Sequence, residues 1–259
     1  MTDTDRAVLT ERRGHVLLVR LNRPDARNAV NAALAAGVEE AIDTLDGDDD
    51  LWVGVLAGDG PVFCAGADLK AVSAGQGASL STERGGFGGL VRRKRKKPLI
   101  AAVHGDALAG GFELALACDL IVAGEGVRFG LPEVKRSLLA AAGGLVHLPR
   151  LLGEKLALEL AMMGDPILAE RLLSVGAINR VVPRDHVLAT ALLLAESLCA
   201  NAPLAVRAAR DVIVNGRDTD EQARWQASFD GFQALATTED FKEGPRAFIE
   251  KRAPVWKGK

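Results

Sequence analysis

The stretch that decides the fold is Leu99-Ile-Ala-Ala-Val-His-Gly-Asp-Ala-Leu-Ala-Gly-Gly-Phe-Glu-Leu-Ala-Leu-Ala-Cys-Asp-Leu-Ile-Val-Ala123. Its two apolar ends, Leu99–Val103 and residues 120–123, have the composition of buried strands. Between them, a pair of glycines precedes a short helical pattern over residues 112–118. Apolar strands that alternate with helices are typical of parallel crossover units, in which helices cover both faces of the sheet. The stretch therefore predicts an α/β fold.

The same alternation continues toward the N-terminus, and helical patterns dominate toward the C-terminus. Val16–Leu21 and residues 52–57 are predicted strands, and residues 31–45 have helical spacing of apolar side chains. Beyond residue 144 the predicted helices are Glu154–Met163, Ala169–Ser174, residues 187–200, Pro203–Asn215 and residues 219–236. A helix breaker at residues 201–203 separates two of them. We therefore predict an α/β core over residues 1–200 and a helical region over residues 201–259.

Composition and charge exclude several classes of protein. The 259 residues are 48% hydrophobic and 25% charged, which is ordinary for a globular chain. The net charge of -2 gives no overall attraction to nucleic acid or to anionic membranes. No apolar run is long enough to span a bilayer, and residues 1–6 lack the apolar segment of a signal peptide. The sequence predicts a cytoplasmic protein without a membrane partner.

The cysteines and histidines give no metal-binding pattern. Cys64, Cys118 and Cys199 lack metal-ligand spacing and are odd in number, so small buried residues in a reducing compartment are predicted. The four histidines are scattered, and none belongs to a paired-ligand motif. A metal site is therefore not expected.

Two glutamates twenty positions apart suggest chemistry. Glu113 lies in Ala-Gly-Gly-Phe-Glu-Leu-Ala, and Glu133 lies in Phe-Gly-Leu-Pro-Glu. Together they could form a general acid/base pair beside backbone N–H donors, which suits a reaction of an activated carbonyl compound. Simpler explanations stay open: Glu113 could only complement the dipole of its helix, and Glu133 could be a surface carboxylate near Lys135 or Arg136.

A second small-residue turn, Phe63-Cys-Ala-Gly-Ala-Asp68, follows a predicted strand. It could let a ligand approach free backbone N–H groups, or it could be only a tight connection between strand and helix. Neither it nor the Ala109-Gly-Gly turn matches a P-loop or a dinucleotide fingerprint. Residues 75–81 and 85–89, rich in small residues, are predicted to form a mobile loop that could cover a pocket.

The strongest charge cluster is Arg92-Arg-Lys-Arg-Lys-Lys97. It could bind RNA or DNA, but it lacks interleaved aromatic residues and the chain is net acidic. The sequence favours a solvated helix end that Pro98 terminates, because cations stabilise the last turn of a helix. Nucleic acid is therefore not the expected partner.

An ordered set of segments resembles the enoyl-CoA hydratase/isomerase (crotonase) superfamily across nearly the whole chain. The segments are Leu21-Asn-Arg-Pro-Asp-Ala-Arg-Asn-Ala29, Phe63-Cys-Ala-Gly-Ala-Asp-Leu-Lys70, Lys97-Pro-Leu-Ile-Ala-Ala-Val103, Ala109-Gly-Gly-Phe-Glu-Leu-Ala-Leu-Ala-Cys-Asp119, Phe129-Gly-Leu-Pro-Glu133, Thr238-Glu-Asp-Phe-Lys-Glu-Gly244 and Phe248-Ile-Glu-Lys-Arg252. The resemblance implies a crotonase-like spiral of ββα units with a C-terminal helical trimerisation region, as a homotrimer or homohexamer. It implies acyl-CoA thioester substrates and no cofactor, since CoA is part of the substrate.

The resemblance also implies catalytic roles. The oxyanion-hole amides of the family fall on Ala67 and Gly110, and its two hydratase glutamates fall on Glu113 and Glu133. A chain that retains both glutamates resembles an enoyl-CoA hydratase, which adds water reversibly to trans-2-enoyl-CoA in the breakdown of fatty acids or related acyl groups. The alternative within the family is another crotonase-family reaction on an acyl-CoA, chiefly isomerisation of a double bond, in which one glutamate can move the proton alone. The alternative outside it is an RNA-binding or scaffold protein that uses residues 92–97.

Substrate contacts are also implied by the resemblance. The matching positions for CoA are Ala26, Arg27, Ala65, Asp68 and Lys70, with Phe232 and Lys251 supplied by a neighbouring subunit. Five residues that closely follow Glu133 are expected to line or back the site near the acyl chain, namely Leu138, Leu139, Ala140, Ala141 and Leu145, and of these Leu139 and Ala141 are expected to contact the substrate. The chain departs from many hydratases at Ala140-Ala-Ala-Gly-Gly-Leu145, where relatives carry Pro-Gly-x-Gly-Gly-Thr. The extra methyl groups predict a preference for longer or bulkier acyl chains over a four-carbon chain.

Overall fold

The computed structural model describes residues 6–259, so the predicted absence of a signal peptide concerns residues that lie mostly outside the described part. The strands are β1 (Val8–Arg13), β2 (Val16–Leu21), β3 (Val53–Gly58), β4 (Ser81–Thr82), β5 (Gly86–Phe87), β6 (Leu99–Val103), β7 (Ala107–Leu108), β8 (Leu120–Gly124), β9 (Arg128–Gly130), β10 (Ile167–Leu168) and β11 (Arg180–Val182). The helices are α1 (Ala32–Gly47), α2 (Leu69–Ser73), α3 (Gly110–Leu116), α4 (Gly144–Leu152), α5 (Glu154–Met163), α6 (Ala169–Ser174), α7 (Val187–Cys199), α8 (Pro203–Asn215), α9 (Glu221–Ala236) and α10 (Glu239–Glu250).

A six-stranded sheet in the order β1-β2-β3-β6-β8-β11 forms the centre of the molecule. Only β1 is antiparallel to its neighbour, and the other neighbouring strands pair in parallel. Residues on one face, such as Val19, pack with the apolar side of α1, and those on the other face, such as Val55, pack with α7. Burial on both faces explains why the central strands are continuous apolar runs. The predicted α/β class is confirmed.

A small sheet, β10-β9-β7, lies beside the point where α3 begins. Its β7 pairs in parallel with β9, and the Ala109 N–H donates to the Gly130 carbonyl at 2.8 Å. This pairing fixes the chain on both sides of the residues that lead to Glu113 and Glu133. The small sheet therefore determines where α3 starts and which way its N-terminus points.

The segment predicted to be a mobile loop contains a hairpin, and its mobility stays a prediction. Residues 77–80 form a turn of 3₁₀ helix, and β4 and β5 pair in antiparallel fashion. The hairpin is attached to α1, because Thr82 donates to Glu39 at 2.5 Å and Arg84 forms ion pairs with Glu39 and Asp43. These contacts connect one wall of the cavity described below to the main core.

The prediction that residues 92–97 form a solvated helix end is wrong. The segment is irregular, and Arg95 and Lys97 are buried. Arg95 pairs with Asp119 at 2.8 Å, and the Lys97 ammonium donates to the carbonyls of Leu45 (2.7 Å) and Asp48 (2.6 Å) at the C-terminus of α1. The basic segment therefore satisfies a helix end and a buried carboxylate, neither of which is visible in local sequence.

The C-terminal part consists of α8, α9 and α10 followed by a tail that returns to the core. The indole N–H of Trp256 donates to the Ala200 carbonyl at 2.8 Å, and Arg210 in α8 pairs with Asp119 at 2.8 Å. The division at residue 200 stays a prediction. No single helix within residues 6–259 has both the length and the apolar character of a membrane span. One bent pair of helices, Arg184–Cys199 and Pro203–Asp218, meets both criteria only when the two are counted together.

Candidate active site

A cavity of about 790 Å³ lies between the turn at residues 65–67, the β4–β5 hairpin, the start of α3 and the segment after β9. Glu113 and Glu133 both line it, so the fold brings together the two carboxylates that the sequence separates by twenty positions. Ala67 and Gly110 line it too. The cavity thus contains all four residues with a predicted catalytic role.

The N-terminus of α3 is exposed to the cavity by an unusual backbone conformation. Ala109 has φ 52° and ψ -132°, a region that residues with a side chain rarely occupy and that stores about 1–3 kcal/mol of strain. This residue turns the chain so that Gly110 begins the helix without an acceptor for its N–H among residues 6–259. A side chain could not replace hydrogen at Gly110, because its Cβ would lie 2.3 Å from Cε1 of Phe87.

The second free N–H belongs to Ala67. The Val30 N–H donates to the Gly66 carbonyl at 2.7 Å, and the Asp68 N–H donates to the Val30 carbonyl at 2.9 Å. This bridge uses the groups on both sides of Ala67 and leaves its own N–H without an acceptor in the described chain. The two turns touch, since a Cβ built on Gly66 would lie 3.0 Å from the Gly110 nitrogen. The two N–H donors therefore lie on adjoining turns that line one cavity.

Glu113 is almost completely buried, with 3% of its surface exposed. One carboxylate oxygen accepts a hydrogen bond from the Gly144 N–H, the first residue of α4, at 2.9 Å. Burial raises the pKa of Glu113 to about 7; the nearby charge of Glu133 also raises it, and the Gly144 hydrogen bond opposes the shift. Near neutral pH this carboxyl group can therefore either hold or accept a proton.

Glu133 lies in a turn of 3₁₀ helix over Pro132–Arg136. Its Oε2 atom is buried, and no hydrogen-bond partner for it exists among residues 6–259. Burial raises the pKa of Glu133, and the positive charge of Arg136 partly counteracts that effect. An unpaired carboxyl oxygen in a cavity wall is available to a bound molecule, because leaving it unsatisfied is unfavourable.

The predicted CoA contacts divide into two groups. Arg27 and Ala65 line the cavity, and a hydrogen bond of 3.0 Å joins the Ala65 N–H to the Arg27 carbonyl. Ala26, Asp68 and Lys70 lie on the neighbouring loop and the start of α2 but not in the cavity wall. The Asp68 carboxylate pairs with Arg23 at 3.0 Å and accepts from the N–H groups of Lys70 and Ala71, so it holds this loop in place.

Of the residues predicted near the acyl chain, Leu138, Leu139 and Ala141 line the cavity, whereas Ala140 and Leu145 do not. Leu139 is 68% exposed, so much of this wall faces outward in the single chain. Ala140 instead points into the core, where 5% of its surface is exposed.

Phe232 and Lys251, the positions predicted to act across a subunit boundary, are outside the cavity wall. Phe232 is 55% exposed on α9 and its ring contacts that of Phe241 with centroids 5.9 Å apart. Lys251 ends α10 in a left-handed conformation, with φ 54°.

Sequence reasoning gave Arg92 no place in this site, and it did not predict the individual contacts of Gly144 and Phe87, although both lie in segments linked to the pocket. Gly144 orients Glu113, and Phe87 covers Gly110. The sequence signal for the close approach of Gly144 was the pair of glycines at 143–144. The structure gives the reason for a glycine there: a Cβ at Gly144 would lie 2.8 Å from Leu131 and 3.2 Å from the Glu113 carboxylate. No group of three or more histidine, cysteine or acidic side chains within residues 6–259 is arranged to hold a metal ion.

A family model described as enoyl-CoA hydratase/isomerase matches residues 11–259. The chain belongs to this family. Among curated members, the mevalonyl-coenzyme A hydratase of Aspergillus fumigatus is 40% identical over 94% of this chain and 92% of its own. The 2,3-dehydroadipyl-CoA hydratase of Escherichia coli is 38% identical over 97% of this chain and 99% of its own.

Solved structures agree with this assignment. The crystal structure of an enoyl-CoA hydratase from Mycobacterium tuberculosis superposes with a TM-score of 0.95 at 45% identity, over 98% of this chain and all of that one. The predicted crotonase-like fold of the enoyl-CoA hydratase/isomerase family is therefore confirmed, and so is the prediction of family membership. The family is one of enzymes, and its named members here are hydratases.

Proposed function

We propose that this protein is an enoyl-CoA hydratase that adds water reversibly to the double bond of a trans-2-enoyl-CoA thioester. The observation that carries the proposal is the position of Glu113 and Glu133 in one cavity with the free N–H groups of Ala67 and Gly110. The names of the relatives, which include several CoA thioester hydratases, support it. The pathway would be the breakdown of fatty acids or related acyl groups.

In the proposed reaction the thioester oxygen accepts hydrogen bonds from the N–H groups of Ala67 and Gly110. These donors withdraw electrons from the conjugated double bond and hold the negative charge that develops on oxygen when water adds. Removal of one such donor typically lowers kcat about 10²- to 10³-fold. Because both donors are backbone groups, the turns of residues 65–67 and 109–110 fix their positions before substrate binds.

The two glutamates divide the transfer of protons. Glu113 orients the water molecule and takes one of its protons as the oxygen atom bonds to the β-carbon of the substrate. Glu133 gives its proton to the α-carbon. After the product leaves, Glu113 loses its proton and Glu133 gains one, which restores the starting state. This division needs one ionised and one protonated carboxyl group. Burial raises the pKa of both groups, so the pair can retain one proton near neutral pH.

The proposed reaction needs no metal ion and no redox cofactor, because hydration moves only protons and water and changes no net oxidation state. CoA enters as part of the substrate. We assign Arg27 and Ala65 to its binding from within the cavity, and Ala26, Asp68 and Lys70 to the loop around it.

We further propose a trimer or a pair of trimers. The C-terminal helices expose large apolar side chains, notably Trp225 (71%), Phe229 (58%), Phe248 (85%) and Ile249 (78%). A surface of this kind is typical of a protein interface. In such an assembly Phe232 and Lys251 would reach the CoA of a neighbouring subunit, which explains their distance from the cavity of their own chain.

The test is turnover of enoyl-CoA thioesters of four to ten carbons by the purified full-length protein. Turnover is measured as the loss of the ultraviolet absorbance of the conjugated thioester. Hydration that disappears in Glu133→Gln supports the proposal. If the protein instead shifts the double bond of 3-enoyl-CoA and does not hydrate 2-enoyl-CoA, the function is isomerisation. If the protein catalyses neither reaction but slows the migration of a generic RNA in a gel-shift assay, the RNA-binding or scaffold alternative is favoured.

A further inference from the structure

Two arginines that the proposed reaction does not use line the cavity, Arg92 and Arg136. Neither guanidinium group has a hydrogen-bond or ion-pair partner within residues 6–259. Two arginines near Arg92 in the sequence do have ion-pair partners, since Arg93 pairs with Asp43 and Arg95 pairs with Asp119. Unpaired cations in a cavity wall attract an anionic ligand and help to select it.

Arg136 lies beside the reacting end of the cavity. It follows Glu133 by three residues in a 3₁₀ turn, where side chains three apart eclipse one another. The electrostatic influence of Arg136 on the Glu133 carboxyl group is consistent with this closeness. Because the proposed role of Glu133 is to protonate the α-carbon, Arg136 lies near the acyl chain.

Arg92 lines the same cavity beside the β4–β5 hairpin. Its side chain packs on Gly86, where a Cβ would lie 2.9 Å from Cγ of Arg92. The next residue, Phe87, covers Gly110 at the proposed oxyanion site. The phosphates of CoA are separated from the thioester by the whole pantetheine arm, so guanidinium groups beside Glu133 and Phe87 are poorly placed to bind them.

The same cavity wall includes the apolar side chains of Val91, Leu138, Leu139 and Ala141. Such a wall suits methylene groups, and the arginines suit a charged end. We infer that the preferred substrate is an enoyl-CoA whose acyl chain ends in a carboxylate, bound by Arg92 and Arg136. This inference rests on the proposed hydratase function and adds the substrate class.

The experiment compares two thioesters of equal length, trans-2-octenoyl-CoA and its counterpart with a carboxylate in place of the terminal methyl group. The wild-type protein should have the higher kcat/KM for the carboxylate. Arg92→Gln and Arg136→Gln should each lower the ratio of the two kcat/KM values about tenfold or more, because each removes a charge-assisted hydrogen bond. The loss should appear mainly in KM.

Three further variants separate this role from others. Arg27→Gln should lower kcat/KM for both substrates by the same factor, since Arg27 is assigned to CoA. Arg171→Gln, which removes an exposed arginine on α6 outside the cavity, should change neither value. Glu83→Gln should raise the ratio, because Glu83 is a carboxylate in the same cavity wall that would repel the charged end of the substrate.

Equal losses for both substrates in Arg92→Gln and Arg136→Gln would overturn the inference, and so would a wild-type preference for the methyl-terminated chain. Those results would leave the hydratase function intact, because hydration would still be measured. Binding of the saturated analogues of both thioesters, measured by calorimetry, tests the substrate class without turnover. Tighter binding of the carboxylate analogue that depends on Arg92 and Arg136 supports it even if hydration fails.

Discussion

At the scale of single residues, the Glu133 carboxyl group has a buried oxygen without a hydrogen-bond partner among residues 6–259. We expect Glu133→Gln to lower kcat for hydration about 10²- to 10⁴-fold, because the amide cannot deliver a proton to the α-carbon. The variant should fold, since the amide oxygen of glutamine can still accept the hydrogen bond from the backbone N–H of residue 133, and Oε2 has no hydrogen-bond partner to lose. Circular dichroism checks the fold. Retention of at least half of the wild-type kcat would contradict the assignment.

Glu113 differs because it is held by Gly144 and carries a pKa of about 7 instead of 4.5. The folded state therefore binds this proton more tightly than the unfolded state. The contribution of this proton to the free energy of unfolding is fully present below about pH 4.5 and is lost as the pH rises to about 7. The contribution amounts to about 3 kcal/mol.

Glu113→Gln should remove this pH dependence. Relative to wild type, the free energy of unfolding of the variant should rise by about 3 kcal/mol between pH 4.5 and 7, because glutamine does not ionise. Urea unfolding of both proteins at several pH values and one fixed protein concentration measures the difference. Parallel curves for the two proteins would show that the buried carboxyl group is not raised in pKa.

These residues also show what the sequence could predict about the site. The positions of Glu113, Glu133, Ala67 and Gly110 in one cavity agree with the prediction, while their catalytic roles stay proposals. The hydrogen bond from Gly144 could not be predicted, because residues 113 and 144 meet only after the two sheets and α4 have packed. The position of Arg92 in the cavity wall could not be predicted for another reason. Arg95 and Lys97 in the same basic segment carry the same charge but bind groups in the core, so charge alone does not distinguish them from Arg92.

At the scale of secondary structure, prediction succeeded where burial makes the pattern uniform. The predicted bounds of β2 and β6 agree with the structure, since β6 is entirely apolar and buried and β2 is so except at Arg20. The edge strand β1 was missed, because four of its six residues are exposed and its Thr-Glu-Arg-Arg end has no apolar alternation. The helices α4 and α10 each contain an internal proline, which conceals them from a helical pattern.

Lys97 gives a prediction at this scale, because its ammonium group caps the C-terminus of α1. Lys97→Met should lower the free energy of unfolding by about 2 kcal/mol, since the carbonyls of Leu45 and Asp48 lose a buried donor. Lys94→Met, an exposed position in the same segment, should change stability by less than about 0.5 kcal/mol. Urea unfolding compares the two. Equal effects would mean that Lys97 does not stabilise α1.

At the scale of the whole molecule, α9 has no buried residue in the single chain although it carries three large aromatic side chains. Two apolar residues of α10, Phe248 and Ile249, are also more than three-quarters exposed. A helix without any buried side chain gains little stability from its own core, because packing of an apolar face supplies most helical stability in proteins. A second subunit is the simplest source of that packing.

We therefore expect light scattering at micromolar concentration to give the mass of a trimer or of two trimers, not of one 27.3 kDa chain. Phe229→Glu should shift the protein toward the monomer, because burying a carboxylate at an apolar interface is strongly unfavourable. Gln233→Glu adds the same charge to α9 and should leave the mass unchanged, since this position is already polar. The monomeric variant should also lose affinity for CoA thioesters if Phe232 and Lys251 act across the boundary. A wild-type monomer would remove any basis for that role.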